Sequence, residues 1–206
     1  TVERPALGAH RFDEDWRAYC RAHAGAGGDL PLEDRPKCLR IGEAGLLSLG
    51  SDLRLRAELS HRPEFGLDQA HDHVALLRAM SHADLRVGET LRVFAQLGSF
   101  FEGGRAEARK PTDLDRLDLV QGFVDLDYAT GQGGVITVRG GRQELSLGSS
   151  RLVGVREGAN VRRTFTGARA FWKRNDARVD ALYVRPTTVE TKLFDDGVDH
   201  GRLLYG

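Results

Sequence analysis

What this chain of 206 residues lacks narrows its class before any motif is read. No stretch approaches the roughly 18 unbroken apolar residues of a membrane-crossing helix. With 40% hydrophobic residues, 29% charged residues and a mean hydropathy of −0.39, a helical membrane protein is excluded. A transmembrane β-barrel is not, because its strands bury only alternate residues in lipid. Formal charge of one sign is missing too. The net charge is zero, which speaks against a nucleic-acid partner, since sequence-independent binders carry a basic domain. Lysine is nearly absent: of 30 basic residues, all but Lys37, Lys110, Lys173 and Lys192 are arginine. Arginine grips carboxylate or phosphate with a planar fork, so the bias suits an anionic partner, while a GC-rich genome is the other reading.

Two cysteines, Cys20 and Cys38, are the only thiols. They fit a disulfide in an oxidising compartment such as the periplasm, and two separate buried thiols remain the alternative. The chain opens at Thr1 with no initiator Met and no leader, so a signal peptide is expected to be removed or to lie outside this sequence. Enzyme signatures are missing as well. There is no Gly-x-Ser-x-Gly elbow, no Gly-x-x-x-x-Gly-Lys loop and no His-Glu-x-x-His pair, so neither an enzyme nor a cofactor is expected. His71-Asp72-His73 and the group Asp195, Asp196, Asp199 and His200 have metal-binding side chains. Both fall in expected loops, where such residues are usually solvated, and neither is assigned a metal.

What is present is alternation. Leu47, Leu49, Leu53, Leu55, Ala57 and Leu59 share one strand face, and Ser48, Asp52, Arg54, Arg56, Glu58 and Ser60 share the other. Leu77, Ala79, Ala83, Leu85 and Val87 oppose Arg78, His82, Asp84 and Arg86. Leu91, Val93, Ala95, Leu97 and Phe101 oppose Arg92, Gln96 and Glu102, with Phe94 and Phe100 as apolar intrusions on the polar side. Val120, Val124, Leu126 and Tyr128 oppose Gln121, Asp125 and Asp127. A less regular strand spans Val135 to Leu147, with a bulge expected near Gly140 and Gly141. Ala168, Ala170 and Trp172 oppose Arg169, and Arg178 to Arg185 returns.

Short turns at 88–90, 129–134 and 174–177 alternate with long loops at 103–115, 148–164 and 187–200, and a further loop spans His61 to His73. Bacterial outer-membrane barrels have tight periplasmic turns and longer extracellular loops. The expected fold is therefore all-β: an antiparallel transmembrane β-barrel in up-and-down meander. Residues 1–40, with a short helix over Phe12 to Ala22, form an N-terminal extension on the periplasmic side; residues 41–206 form the barrel portion.

In such a wall charge belongs on the lumen side, because arginine at mid-membrane on the lipid face costs about 2–4 kcal/mol. Arg54, Arg56, Arg78, Arg86, Arg92 and Arg169 point to the polar side, and Arg139 and Arg142 lie where the expected bulge leaves the facing open. They suit an anion-selective ring, or a ladder of ion pairs with Glu58, Asp84, Asp125, Asp127 and Glu144. Both roles stay open at this stage.

The block Gly141-Arg142-Gln143-Glu144-Leu145, Arg151-Leu152-Val153, Arg156-Glu157, Asn160-Val161-Arg162-Arg163 and Phe165-x-Gly167 resembles the alginate-export family of outer-membrane porins. The phrases HADLRVG (82–88), LRVFAQL (91–97), DRLDLVQGFVDL (115–126) and Arg178-Val179-Asp180-Ala181 resemble it too. The resemblance implies a single-chain barrel through which an anionic exopolysaccharide crosses the outer membrane, with periplasmic secretion-complex proteins as further partners. It implies Arg142, Glu144, Arg162 and Arg163 at the constriction, with Arg54, Arg56, Arg78, Arg92 and Arg169 as lumen cations and Asp125 among their carboxylates. Seven or eight strands are countable and Gly206 is not the usual terminal aromatic residue, so the expectation is the N-terminal part of a truncated barrel. The runner-up is a soluble periplasmic β-sheet module that binds acidic polysaccharide.

Overall fold

A computed structural model of the chain describes residues 2–8, 10–24, 30–61, 71–105, 110–150, 153–201 and 203–205, and only the backbone at 24, 71, 72, 132 and 203–205. The strands are β1 (Leu39–Ile41), β2 (Gly45–His61), β3 (His71–Val87), β4 (Leu91–Gly103) and β5 (Asp115–Ala129). They continue with β6 (Val135–Gln143), β7 (Phe165–Arg174), β8 (Ala177–Thr188), β9 (Gly197–Val198) and β10 (Leu203–Tyr205). Each pairs antiparallel with its neighbour in the order β1-β2-β3-β4-β5-β6-β7-β8-β10, while β9 also pairs with β8. The result is one up-and-down meander that does not close on itself. From β2 to β8 the strands run 9 to 17 residues, and 9–11 tilted residues suffice to cross a bilayer's hydrocarbon.

The two faces are inverted relative to a water-soluble sheet. On β2, Leu53, Leu55 and Leu59 are 72%, 76% and 79% exposed, while Arg54 and Arg56 turn to the partly buried side. On β3, Arg78 is 1% exposed and His82 and Asp84 are buried with it. The apolar exposed band continues through Val93, Leu97 and Phe101 on β4, Val124, Leu126 and Tyr128 on β5, and Val179 and Tyr183 on β8. A soluble monomer rarely leaves so broad an apolar patch uncovered. Among the described residues no helix is long and apolar enough to cross a membrane.

Short connections at 42–44, 88–90, 130–134 and 175–176 gather at one end of the sheet, and the longer ones at the other. Asn175 adopts a φ of +50°, the left-handed conformation that a two-residue hairpin turn demands. Most of the expected His61–His73 loop, the side chains of His71 and Asp72, Arg151-Leu152 and Arg202 lie outside the described residues.

Three local expectations are corrected. Val120 does not share the outer face with Val124: the β4–β5 register slips between Gln96 and Leu97, so Val120 and its neighbour Gln121 are both buried. This β-bulge adds one residue and breaks the period-two pattern. No bulge occurs at Gly140 and Gly141, whose pairing with β5 and β7 is continuous. Gly141 pairs with Gly167, and both have positive φ (+130° and +155°). A Cβ on Gly141 would stand 2.2 Å from Gly122 O, and one on Gly167 2.3 Å from Tyr183 O. These glycines permit close backbone approach, not an extra residue. The N-terminal helix α1 spans Arg17–Ala24, later than expected, and follows a 3-10 turn at Arg11–Asp13.

The polar face is covered. Phe12 packs edge-on against Phe94 and Phe123, which stack on each other at 5.1 Å. Val161, from the β6–β7 loop, packs with Met80, Phe100 and Val120. The two phenylalanines that interrupt the polar side of β4 thus anchor the segments laid across it. A disulfide joins Cys20 of α1 to Cys38, just before β1, and a link of this span stabilises a chain by about 3 kcal/mol in the loop-entropy view.

Leu55→Arg should cost about 2–4 kcal/mol in the full protein folded into phospholipid vesicles, the cost of a guanidinium at mid-membrane. Urea titration reads it, and a change below about 0.5 kcal/mol, the range of ordinary surface substitutions, would place this face in water.

Candidate functional site

Strands β2 and β3 place Arg54 directly opposite Arg78. Like charges facing across a ladder repel, so this pair requires an acceptor between them. The β6–β7 loop supplies it. Glu157 Oε1 accepts from Arg54 Nη1 at 3.2 Å and from Arg78 Nη1 at 2.9 Å, and Glu157 Oε2 lies 2.7 Å from Arg162 Nη2. Main-chain oxygens complete the contact: Arg54 and Arg78 both donate to Glu157 O and Ala159 O, and Arg56 donates to Gly158 O at 2.6 Å. Four guanidiniums thus surround one short run of loop.

That run is held by Asn160, fully buried, whose Nδ2 donates to Leu77 O, Phe101 O and Asp113 O at 3.0–3.3 Å. Arg78 on the wall and Arg162 in the loop are buried, Arg54 and Arg56 are 28% exposed, and the Glu157 side chain is 47% exposed. Three guanidiniums, those of Arg54, Arg78 and Arg162, thus share one carboxylate through charge-assisted contacts.

Beside this cluster Glu144, fully buried, meets Arg162 Nη1 at 3.4 Å and His10 Nδ1 at 3.1 Å, and its amide donates to Gln121 Oε1. Arg163 stands apart. Among the described residues it has no carboxylate partner, and it lines a cavity of about 460 Å³ with Arg156, Glu157 and His10. Burial, with the Arg156 charge beside it, holds its guanidinium below the ordinary pKa.

The other expected lumen cations are paired within the wall. Arg92 holds Asp84 through two contacts of 2.8 and 3.0 Å, reaches Phe12 O at 2.7 Å and lies 3.7 Å from Asp125. Asp125 is gripped bidentately by Arg139 at 2.7 and 2.8 Å, with the Arg139 guanidinium 3.6 Å from the centre of the Phe123 ring. Arg169 Nε donates to Asp180 at 2.8 Å. Arg92, Asp125, Arg139 and Arg169 line a cleft of about 350 Å³ between the wall and the Phe12 segment. Arg142 joins neither group: it donates to Asp118 Oδ1 (3.1 Å), Leu119 O and Asp196 O.

Arg54, Arg56, Arg78 and Arg162 therefore come together with Glu144 alongside. Arg92, Arg169 and Asp125 form a separate neutralised ladder, and Arg142 sits at a third position. Sequence reasoning gave Glu157 and Asn160 no role, although two facing arginines signal that an acceptor is needed, here from a loop and for the facing Arg139 and Arg169 from neighbouring strands. His10 carried no such signal.

His10 lies outside the strands, and its hydrogen bond to Glu144 raises its pKa above 6.5, against the opposing effect of burial and of Arg162. The stabilisation is present in full below the unfolded value of 6.5 and is lost as pH rises through the raised folded value. Amide protection factors in residues 10–16, which divide out the intrinsic base catalysis of exchange, should thus be lower at pH 8 than at pH 6. His10→Gln should abolish that difference; an unchanged pH dependence in this variant would refute the assignment.

The model of the family described as alginate export matches residues 46–206, the whole meander from the start of β2. No curated protein and no solved structure matches the chain. With an all-β meander, an inverted pair of faces and a family match over most of its length, the chain belongs to the alginate-export family.

Proposed function

We propose that this chain forms part of the wall of an outer-membrane porin, along whose arginine-bearing face an anionic polysaccharide, alginate-like, or a sugar acid moves by diffusion. The observation that carries this reading is the convergence of Arg54, Arg56, Arg78 and Arg162 on residues 157–159, behind a sheet face of exposed leucines. Hydrocarbon on the leucine side forces the guanidiniums toward water, where they attract a polyanion. Carboxylates within the same cluster, Glu157 and Glu144, compete for those donors and keep each contact weak enough to release. The family's transport description fits a site that holds carboxylates without acid, base or nucleophile groups arranged for turnover.

Arg54 and Arg56 are the members to test, because both are partly exposed and their loss leaves the buried Arg78 and Arg162 in place. In planar bilayers containing the full protein, Arg54→Gln with Arg56→Gln should weaken block by an oligouronate at least about tenfold. That is the factor for one lost charge-assisted hydrogen bond of roughly 1.4 kcal/mol. Arg142→Gln, outside the cluster, should leave block unchanged. Equal block in wild type and the double variant would remove these arginines from the path. Recovery of the protein from cells without detergent would refute the membrane location.

A further inference from the structure

The loop that follows β8 is tied to the start of β5. Phe194 donates its amide to Leu117 O at 2.9 Å, Leu193 and Leu117 form a parallel bridge, and the Asp196 amide donates to Asp118 Oδ2 at 3.0 Å. These contacts bring Asp195 and Asp196 beside Asp118, so that one carboxylate oxygen from each lies within 4.8 Å of the others. Acidic groups often gather on surfaces to no purpose. Here Asp118 is buried at 3% exposure, and a fourth carboxylate, Asp115, is 1% exposed with its Oδ1 lacking any hydrogen-bond partner. Asp115 pairs with Phe100 of β4 and Asp118 with Gly98, so both sit at the same end of β5. A buried acceptor left without a donor is costly, and repulsion among four carboxylates adds to that cost.

One guanidinium faces this group. Arg142 Nη1 lies 3.1 Å from Asp118 Oδ1 and 3.8 Å from Asp196 Oδ2, which leaves a surplus of negative charge. Backbone amides hold several of the oxygens in place: Leu119 N and Asp196 N on Asp118, Glu190 N on Asp196 and Lys192 N on Asp195. We propose that Asp118, Asp195 and Asp196, beside the buried Asp115, form a divalent-cation site, selective for Ca²⁺, that clamps the loop after β8 onto β5. Ca²⁺ takes six to eight oxygens at 2.3–2.6 Å in variable geometry, so oxygens up to 4.8 Å apart can bind one ion between them. Mg²⁺ demands near-ideal octahedral contacts at 2.0–2.1 Å and gives up its waters reluctantly, which a set of carboxylates already held by backbone amides does not suit. This site is independent of the arginine cluster and survives if the reading of that cluster fails.

The test uses the full protein in detergent, stripped with a chelator and titrated with CaCl₂ by calorimetry. One saturable site with a Kd of about 10⁻⁴–10⁻³ M, the class of extracellular loop sites, is expected. Asp195→Asn with Asp196→Asn should weaken it at least tenfold, and Asp199→Asn, outside the group, should not. If the double variant misfolds, Asp195→Asn alone and the wild type decide. Ca²⁺ should slow proteolysis within residues 189–196, and a chelator should restore it. No binding up to about 10 mM, tenfold above that Kd range, would overturn the proposal and leave a shared proton as the relief of the charge. Unchanged affinity in the variants, equal competition by Mg²⁺, or proteolysis indifferent to Ca²⁺ would overturn it as well.

Discussion

The rest of this structure depends on one inversion: a sheet whose leucines face outward and whose guanidiniums face inward. A period of two makes such a choice binary, because every residue of a strand changes face together when the register slips by one. Once Leu53 and Leu55 are outside, Arg54 and Arg56 have nowhere to go but the enclosed side. Burying arginine without partners is prohibitive. The interior must therefore be built from carboxylates, main-chain oxygens and aromatic rings that can receive it.

The chain meets that demand in two ways. Along β3 to β8 the wall neutralises itself: Arg92 with Asp84, Arg139 with Asp125, and Arg169 with Asp180. Aromatic faces contribute as well, since Arg139 lies over Phe123 and Arg169 near Phe171. At β2 and β3 the wall has arginine facing arginine, and the compensation is imported by a loop that crosses the sheet. The first kind of arginine is spent on structure. The second is held by acceptors that the β6–β7 loop carries across the sheet.

How far the sequence alone reaches follows from the same physics. Alternation over β2, β3 and β4 reads directly as strands with the correct outward face, because the outward residues keep their period even where Phe94 and Phe100 interrupt the polar side. Asp115 to Asp127 misleads, since the extra residue at Val120 is invisible to any rule that counts by twos. Gly140 and Gly141 look like a bulge in letters alone, whereas the close approach that Gly141 permits involves Gly122 O from another strand. The arginines were legible as a class. Their division into a paired ladder and a loop-capped cluster was not, because it depends on where Glu157 and Asn160 land in space. The N-terminal segment was legible as distinct in composition, but its path across the polar face rests on Phe12 meeting Phe94 and Phe123, contacts far apart in sequence.

Strand β1 covers only a small part of its neighbour, from Gly45 to Leu47. Beyond that point, among the described strands, none pairs with the other edge of β2, so Ser48 to His61 present a row of amides and carbonyls at the sheet margin. Hydrocarbon tolerates no such row, since water is absent to solvate it. Such a margin acts as a template that captures another extended segment, from the same polypeptide or from a second molecule. Handling of the isolated chain is thereby governed as much by this sticky seam as by the arginines behind it.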